Sequence, residues 1–142
     1  ASVINALSDL SHPCQALTDL FTMQEIAGDL SQQKLVYVGD GNNVAYSLAN
    51  CCAKLNVPFV VSSPAGFELC SKLVNTLKEK FPNVQLELES DPRKAVADAT
   101  VIYTSCTACP PSGGWKSPIV SSTANTVSFL IRLKIASISP RD

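Results

Sequence analysis

Apolar residues along this chain occur with two kinds of spacing, and each kind predicts one type of secondary structure. Short runs rich in β-branched and aromatic residues are typical of strands that are buried in a sheet. The run around Val84 instead alternates apolar with polar residues, which is typical of an edge strand. Together these runs predict four strands, at residues 34–38, 58–62, 84–88 and 100–104.

Between the runs, apolar residues recur three or four positions apart, which is the spacing of an amphipathic helix. Pro13 suits a first helical turn, Gly28 suits a helix end, and Asp91 suits an N-cap, while residues 8–11 offer candidate N-caps for the first helix. The spacing predicts helices at residues 13–26, 44–55, 69–81 and 92–99. The predicted apolar stripes are Leu17, Leu20, Phe21 and Met23, then Val44, Leu48, Cys52 and Leu55, then Leu69, Leu73, Leu77 and Phe81.

The order of these elements predicts the fold. Strands that alternate with helices form a parallel sheet with right-handed crossovers. The expected class is therefore α/β, a three-layer Rossmann-like parallel sheet with helices on both faces. After Ser105 the alternation stops, and the proline and glycine residues at 110–115 predict a mobile linker. Residues 126–138 are apolar again, so we expect them to pack against the sheet or its helices, or against a second copy of the chain.

The composition is that of one globular domain. The chain has 142 residues, of which 46% are hydrophobic, and this is enough for a single core. A formal net charge of −1 gives no sign of nucleic-acid or anionic-membrane binding, and no apolar run reaches the length of a membrane span. The sequence shows no signal peptide. It begins without an initiator Met, from which we expect a piece of a longer chain or a processed product.

The six cysteines are better explained as thiols than as a disulfide scaffold. Cys51, Cys52 and Cys70 fall at core-like helical positions, which is typical of small buried side chains in a reducing compartment. A CxxC pair at residues 106–109 has the spacing of a redox or metal half-site. A zinc site needs about four ligands. Because His12 is the only histidine and there is no second CxxC pair, we expect no metal.

A loop of glycine, aspartate and asparagine follows the first predicted strand, and it reads Gly39-Asp40-Gly41-Asn42-Asn43. In parallel sheets, ligands bind beyond the carboxyl ends of the strands, where this loop is expected. The loop lacks the third glycine of a dinucleotide-binding fingerprint, and it is not a Walker loop. It is therefore either a ligand-binding loop or a plain turn whose asparagine side chains cap the next helix.

A second candidate motif, His12-Pro13-Cys14-Gln15, begins the first predicted helix. Free N–H groups and the helix dipole favour anions at such a position. His12 and Gln15 project from one turn and can donate hydrogen bonds to a carbonyl or phosphate oxygen. The alternative is that His12 only caps the helix.

Together the two motifs resemble ornithine carbamoyltransferase. The HPCQ motif at residues 12–15 and the GDGNN motif at residues 39–43 occur in the order and at about the separation found in that family. The resemblance covers about residues 2–104 and points to the family's second, ornithine-binding domain. It implies an amino-acid-binding domain at residues 1–105, followed by a divergent tail at residues 106–142.

The resemblance implies a reaction and the residues that carry it. The family transfers a carbamoyl group from carbamoyl phosphate to the δ-amine of ornithine, giving citrulline and phosphate, in arginine biosynthesis and the urea cycle. By resemblance, His12 and Gln15 would polarise the carbamoyl carbonyl, and Asn43 would hold the amino-acid part of ornithine. Because both groups would face one substrate, Asn43 and the first turn of the His12 helix are expected at the same edge of the sheet. The implied partners are carbamoyl phosphate, ornithine and further copies of the chain in a homo-oligomer, with no cofactor, nucleic acid or membrane. The implied location is cytoplasmic or the mitochondrial matrix.

Other parts of the family's pattern are absent from this sequence. The Ser-Thr-Arg-Thr phosphate clamp and the His-Cys-Leu-Pro motif have no match, and Ser105 stands where the family has an aspartate. A truncated, spliced or frame-shifted product would have such a sequence. Two functions therefore stay open. The chain is either half of a carbamoyltransferase that does not turn over substrate alone, or a non-catalytic α/β binding or interaction module derived from that family.

Overall fold

The computed structural model describes residues 1–105 and 132–133 of the chain. A short 3-10 helix occupies Leu30–Gln32. The α-helices are α1 (Pro13–Ala27), α2 (Asn43–Leu55), α3 (Ser71–Lys80) and α4 (Pro92–Ala95). The strands are β1 (Leu35–Gly39), β2 (Phe59–Ser62), β3 (Leu86–Leu88), β4 (Val101–Ser105) and β5 (Arg132–Leu133). None of the helices in the described residues combines the length and the apolar composition of a membrane-spanning segment.

The strands form one sheet in the order β3-β2-β1-β4-β5. The central strand β1 pairs in parallel with β2 and with β4, and β3 pairs in parallel with β2 at the edge. These pairings confirm the α/β class, and they confirm that the alternating third strand is an edge strand. Gly39 lies opposite Ser105, so β1 and β4 end together at the carboxyl edge of the sheet.

Helices cover both faces of the sheet, as predicted. The helices α1, α2 and α3 pack on one face, in a large core to which they contribute Leu20, Leu48 and Leu77. The short α4 covers the other face, where Ala95 packs in one cluster with Val36 of β1. The strand order explains the change of face, because the chain runs outward from β1 to β3 and then crosses back to β4 on the other side of β1.

The buried face of α1 differs from the predicted stripe. Leu20 and Met23 are buried, but Leu17 is 59% exposed and Phe21 is 60% exposed. Asp19, which no apolar stripe includes, is only 5% exposed. The prediction took apolar character as a sign of burial, whereas burial in α1 follows one face of the helix and includes the aspartate on that face.

Several smaller predictions are also corrected. Leu55 and Cys70 are exposed rather than in the core, because Leu55 is the last residue of α2 and Cys70 lies just before α3. The N-cap position of α1 is held by His12 and not by one of residues 8–11. The helix α4 ends at Ala95 rather than at residue 99, because the N–H groups of Ala97 and Ala99 bond to carbonyls three residues back, as in turns.

Part of the tail adds a strand to the sheet. Arg132–Leu133 pairs antiparallel with β4. This pairing agrees with the prediction that residues 126–138 contribute to packing on the sheet. The rest of that run, the predicted linker at residues 110–115 and the CxxC pair at residues 106–109 lie outside the described residues.

Candidate functional site

The loop after β1 packs closely against two neighbouring backbones. A Cβ atom on Gly39 would overlap the carbonyl oxygen of Ser105 in β4. A Cβ atom on Gly41 would lie 2.5 Å from the backbone nitrogen of Leu69, and the Gly41 N–H donates a 2.7 Å hydrogen bond to the carbonyl oxygen of Phe67. Both positions therefore need glycine because backbone approaches them too closely for any side chain.

Asn42 fixes the start of α2. Its side-chain oxygen accepts hydrogen bonds from the N–H groups of Val44 at 3.0 Å and Ala45 at 3.2 Å. The Tyr37 hydroxyl lies within hydrogen-bonding distance of that same oxygen, at 3.3 Å, and of the carbonyl oxygen of Asp40, at 3.0 Å. The capping alternative for this loop is thus confirmed for Asn42.

Asn43 is the first residue of α2, and its side chain bonds to the segment that precedes α1. The Asn43 amide nitrogen, Nδ2, donates a 2.8 Å hydrogen bond to the carbonyl oxygen of Ser8. Asn43 is half-buried, so its side chain is held by the protein without being sealed from solvent. The two asparagines of the loop therefore differ in role, since only Asn42 caps the helix.

One buried hydroxyl joins the two motifs. Ser47 lies one turn into α2, and its Oγ accepts a 2.8 Å hydrogen bond from the backbone N–H of His12. The same Oγ donates a 2.8 Å hydrogen bond to the carbonyl oxygen of Asn43. The helices α1 and α2 therefore begin side by side at the carboxyl edge of the sheet, where the sequence predicts that His12 and Asn43 lie together.

A buried carboxylate lies one turn beyond the HPCQ motif. The Gln15 amide nitrogen, Nε2, donates a 2.8 Å hydrogen bond to Oδ1 of Asp19. Burial raises the pKa of Asp19, while the hydrogen bond from Gln15 and the charge of His12 lower it by a smaller amount. His12 holds the N-cap position of α1, as the capping alternative predicted, although its side chain makes no capping hydrogen bond.

Two stacked tyrosines from the central strands lie in the core beside these groups. The rings of Tyr37 and Tyr103 have centroids 5.6 Å apart and planes 15° apart. Burial raises the pKa of both hydroxyls; the charge of Asp40 adds to this at Tyr37, and the charge of Asp19 adds to it at Tyr103. Both phenols are therefore neutral hydrogen-bonding groups at neutral pH.

The family model described as the Asp/Orn binding domain of aspartate/ornithine carbamoyltransferase matches residues 31–109, which is more than half of the chain. The chain belongs to this family. The matched residues contain the loop at residues 39–43 and all four parallel strands, while the HPCQ motif lies before them.

Individual relatives match a longer part of the chain than the family model does. The ornithine carbamoyltransferase of Parasynechococcus marenigrum (strain WH8102) is 48% identical over 103 residues, which are 72% of this chain and 32% of that protein. The anabolic ornithine carbamoyltransferase of Pyrococcus furiosus is 49% identical over 104 residues, 72% of this chain and 33% of that protein. The chain thus spans about a third of the length of the curated relatives it matches.

Solved structures of ornithine carbamoyltransferases have the same fold. The Pyrococcus furiosus structure aligns with a TM-score of 0.68 at 49% identity, over 72% of this chain and 33% of that one. The mitochondrial protein of Coccidioides immitis aligns with a TM-score of 0.65 at 39% identity, over 72% of this chain and 35% of that one. Both alignments again cover about a third of the known protein.

The sequence predicted three site residues and missed two that hold them in place. His12 and Asn43 are joined through Ser47, and Gln15 is bonded to Asp19. Ser47 follows Asn43 by four positions, and Asp19 follows Gln15 by four positions. Residues four apart lie on the same side of a helix. The sequence could therefore have indicated Ser47 and Asp19, because each is a polar residue one helical turn after a motif residue.

Other features of the described residues lie away from these groups. A cavity of about 250 Å³ has Gln33, Pro58 and Gln85 among its lining residues, and these precede β1, β2 and β3 at the amino edge of the sheet. The two motifs lie at the opposite, carboxyl edge, so this cavity is not the candidate site. In residues 1–105 and 132–133, no group of His, Cys, Asp and Glu side chains is arranged to hold a metal ion.

Proposed function

We propose that this chain forms the ornithine-binding half of a carbamoyltransferase site, in which His12, Gln15 and Asn43 contact the substrates. The observation that supports it most is the Ser47 hydroxyl, which ties the helix start carrying His12 to the helix start carrying Asn43. Relatives at 48% and 49% identity that are named ornithine carbamoyltransferases support the same proposal. Because the chain spans about a third of their length, the proposed activity is that of the assembled enzyme.

The proposed reaction needs an electrophilic carbonyl carbon with an amine held next to it. His12 and Gln15 supply N–H donors that stabilise negative charge on the carbamoyl oxygen while the δ-amine of ornithine attacks. A carbon–nitrogen bond forms, and the bond from that carbon to the phosphate oxygen breaks. Phosphate leaves with the electron pair, the amine gives up a proton, and citrulline remains. This proposal involves no metal or organic cofactor.

Asn43 is proposed to position the amino-acid part of ornithine. One of the two N–H groups of its amide is bonded to the carbonyl oxygen of Ser8, so only the other N–H and the amide oxygen remain for ornithine while the segment before α1 stays in place. Ser105, at the end of β4, is buried and uncharged and does not attract an amine as a carboxylate would. Both features lead us to expect weak ornithine binding by the chain alone.

An exposed apolar surface suits the packing of further protein against this chain. Leu17 and Phe21, which lie one turn apart on α1, are more than half exposed, and so are Val3 and Ile4 in the segment before it. Exposed apolar side chains that are close together mark interaction sites on soluble proteins. We propose that the carbamoyl-phosphate-binding part of the enzyme covers this α1 surface, and a second copy of the chain in a homo-oligomer is the alternative occupant.

The test is an assay of citrulline formation. The 142-residue chain would be assayed alone and mixed with a separately produced carbamoyl-phosphate domain from a relative. We expect no useful turnover by the chain alone and turnover in the mixture. Gln15→Ala should abolish that turnover, whereas Gln24→Ala, at an exposed position of the same helix, should leave it unchanged. Enzyme-like turnover by the chain alone, or none in a mixture whose parts bind each other, would contradict the proposal.

The second candidate function is a non-catalytic binding module derived from the same family. The uncharged Ser105 and the engagement of Asn43 with Ser8 favour it, because both reduce the attraction for ornithine. Calorimetric titration with ornithine separates the two functions. A chain that binds the partner domain but shows no ornithine binding in the mixture would be such a module.

We also propose the location and the division of the chain. In the described part, Cys14, Cys51, Cys52 and Cys70 are free thiols, which supports a reducing compartment such as the cytoplasm or the mitochondrial matrix. Residues 1–105 would be the amino-acid-binding domain and residues 106–142 a divergent tail. Neither nucleic acid nor a membrane is a proposed partner.

A further inference from the structure

Asp19 is a buried carboxylate that stability alone does not explain. It lies on the buried face of α1 and is 5% exposed. Its Oδ1 accepts the Gln15 amide, but its Oδ2 is buried without a hydrogen-bond partner among the described residues. Within those residues no Lys or Arg forms a salt bridge with it. Burying a carboxylate in this way is unfavourable compared with an apolar side chain of similar size.

His12 has a complementary atom without a partner. Its Nδ1 is buried and has no hydrogen bond to any residue that the structure describes. His12 lies close enough to Asp19 for its charge to lower the pKa of that carboxyl group, against the larger effect of burial. A ring N–H is a donor and a carboxylate oxygen is an acceptor, so a side-chain rotation that joins the two atoms satisfies both.

Tyr103 is the third polar side chain that faces Asp19. The charge of Asp19 contributes to the raised pKa of the Tyr103 hydroxyl, so the two groups are near each other. A phenol also donates a hydrogen bond, which makes Tyr103 the competitor of His12 for Oδ2. Gln15 does not compete for that atom, because it already donates to Oδ1. An experiment on the pairing therefore has to vary Asp19 and Tyr103 separately.

We propose that Asp19 is a positioning residue for both side chains of the HPCQ motif, holding Gln15 through Oδ1 and the Nδ1–H of His12 through Oδ2. The carboxylate then fixes the Gln15 amide so that its oxygen and second N–H remain available. It also turns the imidazole so that Nε2 is the nitrogen left for a substrate, and Nε2 donates to the carbamoyl oxygen when the ring carries both protons. A carboxylate that orients a histidine through Nδ1 is a recurrent arrangement in active sites. The effect on catalysis rests on the proposed function, whereas the pairing itself does not.

The chain allows a direct test because it contains a single histidine. With ¹⁵N-labelled histidine, nuclear magnetic resonance of the whole chain gives one pair of ring-nitrogen signals, which report where the proton resides. At a pH at which the ring is neutral, we expect the proton on Nδ1. In Asp19→Asn, the ratio of the Nδ1–H to the Nε2–H form should fall about tenfold, as expected for loss of one charge-assisted hydrogen bond.

Two further variants complete the test. Glu25→Gln removes an exposed carboxylate from the same helix and should leave both ring-nitrogen signals unchanged. Tyr103→Phe should also keep the Nδ1–H form, because the hydroxyl is not the proposed partner of the ring. A wild-type chain with its proton on Nε2, or a folded Asp19→Asn chain with wild-type signals, overturns the proposal. Because no turnover is needed, a chain with the expected signals that never makes citrulline would overturn only the proposed function.

Discussion

The backbone N–H of His12 donates a 2.8 Å hydrogen bond to the side-chain oxygen of Ser47, 35 residues further along the chain. The same hydroxyl donates to the carbonyl oxygen of Asn43, so it serves one donor from the start of α1 and one acceptor from the start of α2. Because Ser47 is buried, water does not replace it easily. The relative position of the two motifs therefore depends on this side chain.

Replacing Ser47 by Ala should loosen that connection. The variant leaves the His12 N–H without its acceptor, and a lost hydrogen bond of this kind costs about 1–2 kcal/mol of folding free energy. Urea denaturation of the two chains measures the difference. Ser71→Ala, which alters an exposed serine at the start of α3, is the control and should change the free energy of unfolding by less than about 0.5 kcal/mol. Equal stability of Ser47→Ala and the wild type would contradict the expectation.

Asp19→Asn should make the chain more stable at neutral pH. Because burial raises the pKa of Asp19 above its ordinary value of 3.8, the folded chain holds this proton more tightly than the unfolded chain. The contribution to stability is present in full below pH 3.8 and is lost as the pH rises through the raised pKa of the folded state. Asparagine cannot ionise, and its side-chain oxygen can still accept the Gln15 amide.

The measurement for Asp19→Asn is the unfolding midpoint as a function of pH. The two chains should have similar midpoints in acid, and the variant should have the higher midpoint above the raised pKa. Asp98→Asn is the contrasting control. The hydrogen bond with Lys34 lowers the pKa of the exposed Asp98, so removing that carboxylate should not raise the midpoint at neutral pH. A lower midpoint for Asp19→Asn at neutral pH would contradict the prediction.

The fold could be predicted from the sequence because its signals are local. Runs of β-branched residues, such as the one at Leu35–Gly39, predict strands. Because these strands alternate with helices, only a few sheet topologies are possible, and the structure confirms the parallel one. The motifs also gave His12 and Asn43 as neighbours at one edge. Ser47 and Asp19 were missed, because a single polar residue in a helix shows its role only when its partners from other turns or helices are in place. The burial of Leu17 was predicted wrongly for a similar reason. Leu17 is apolar but exposed, because the face of α1 that carries it does not pack on the sheet.

Gly41→Ala should destabilise the chain more than Gly66→Ala. A Cβ at position 41 would lie 2.5 Å from the Leu69 nitrogen and 2.6 Å from the Glu68 carbonyl carbon, so backbone has to move. We expect the free energy of unfolding to fall by about 3 kcal/mol or more. Overpacking by one methyl group typically costs about 1–3 kcal/mol even where neighbouring side chains can move aside. Gly66 has φ +84° but open space around it, so alanine there meets only backbone strain of about 1–2 kcal/mol. Denaturant unfolding of both variants measures the order, and a reversed order would contradict it.

The double variant Leu17→Lys with Phe21→Lys should prevent the proposed domain from binding without unfolding the chain. Both side chains are more than half exposed, so little buried apolar area is lost on substitution. Two added charges on the α1 surface would have to be desolvated in a complex. Sedimentation of the chain mixed with the carbamoyl-phosphate domain of a relative measures the association. Leu55→Lys, at an exposed position of α2, should leave binding intact. Unchanged binding by the double variant would place the interface elsewhere.

Cys70 should react with alkylating reagents at neutral pH faster than Cys51 and Cys52. The backbone N–H groups of Leu73 and Lys72 at the start of α3 lower the pKa of the exposed Cys70 thiol. Burial raises the pKa of Cys51 and, more strongly, that of Cys52. The thiolate is the reacting form, so a lowered pKa and an exposed sulfur act in the same direction.

The measurement for Cys70 is timed alkylation with iodoacetamide at several pH values, read by mass spectrometry of the peptides. The rate for Cys70 should rise with pH and level off at a lower pH than the rate for Cys51. The reason is that the Cys70 thiol, with its lowered pKa, is fully deprotonated at a lower pH than the Cys51 thiol. Lys72→Gln is a useful variant, since the positive charge of Lys72 adds a smaller lowering of the pKa. It should shift the Cys70 profile slightly to higher pH and leave that of Cys51 in place. A Cys70 profile that levels off at the same pH as that of Cys51 would show that the start of α3 does not stabilise the thiolate.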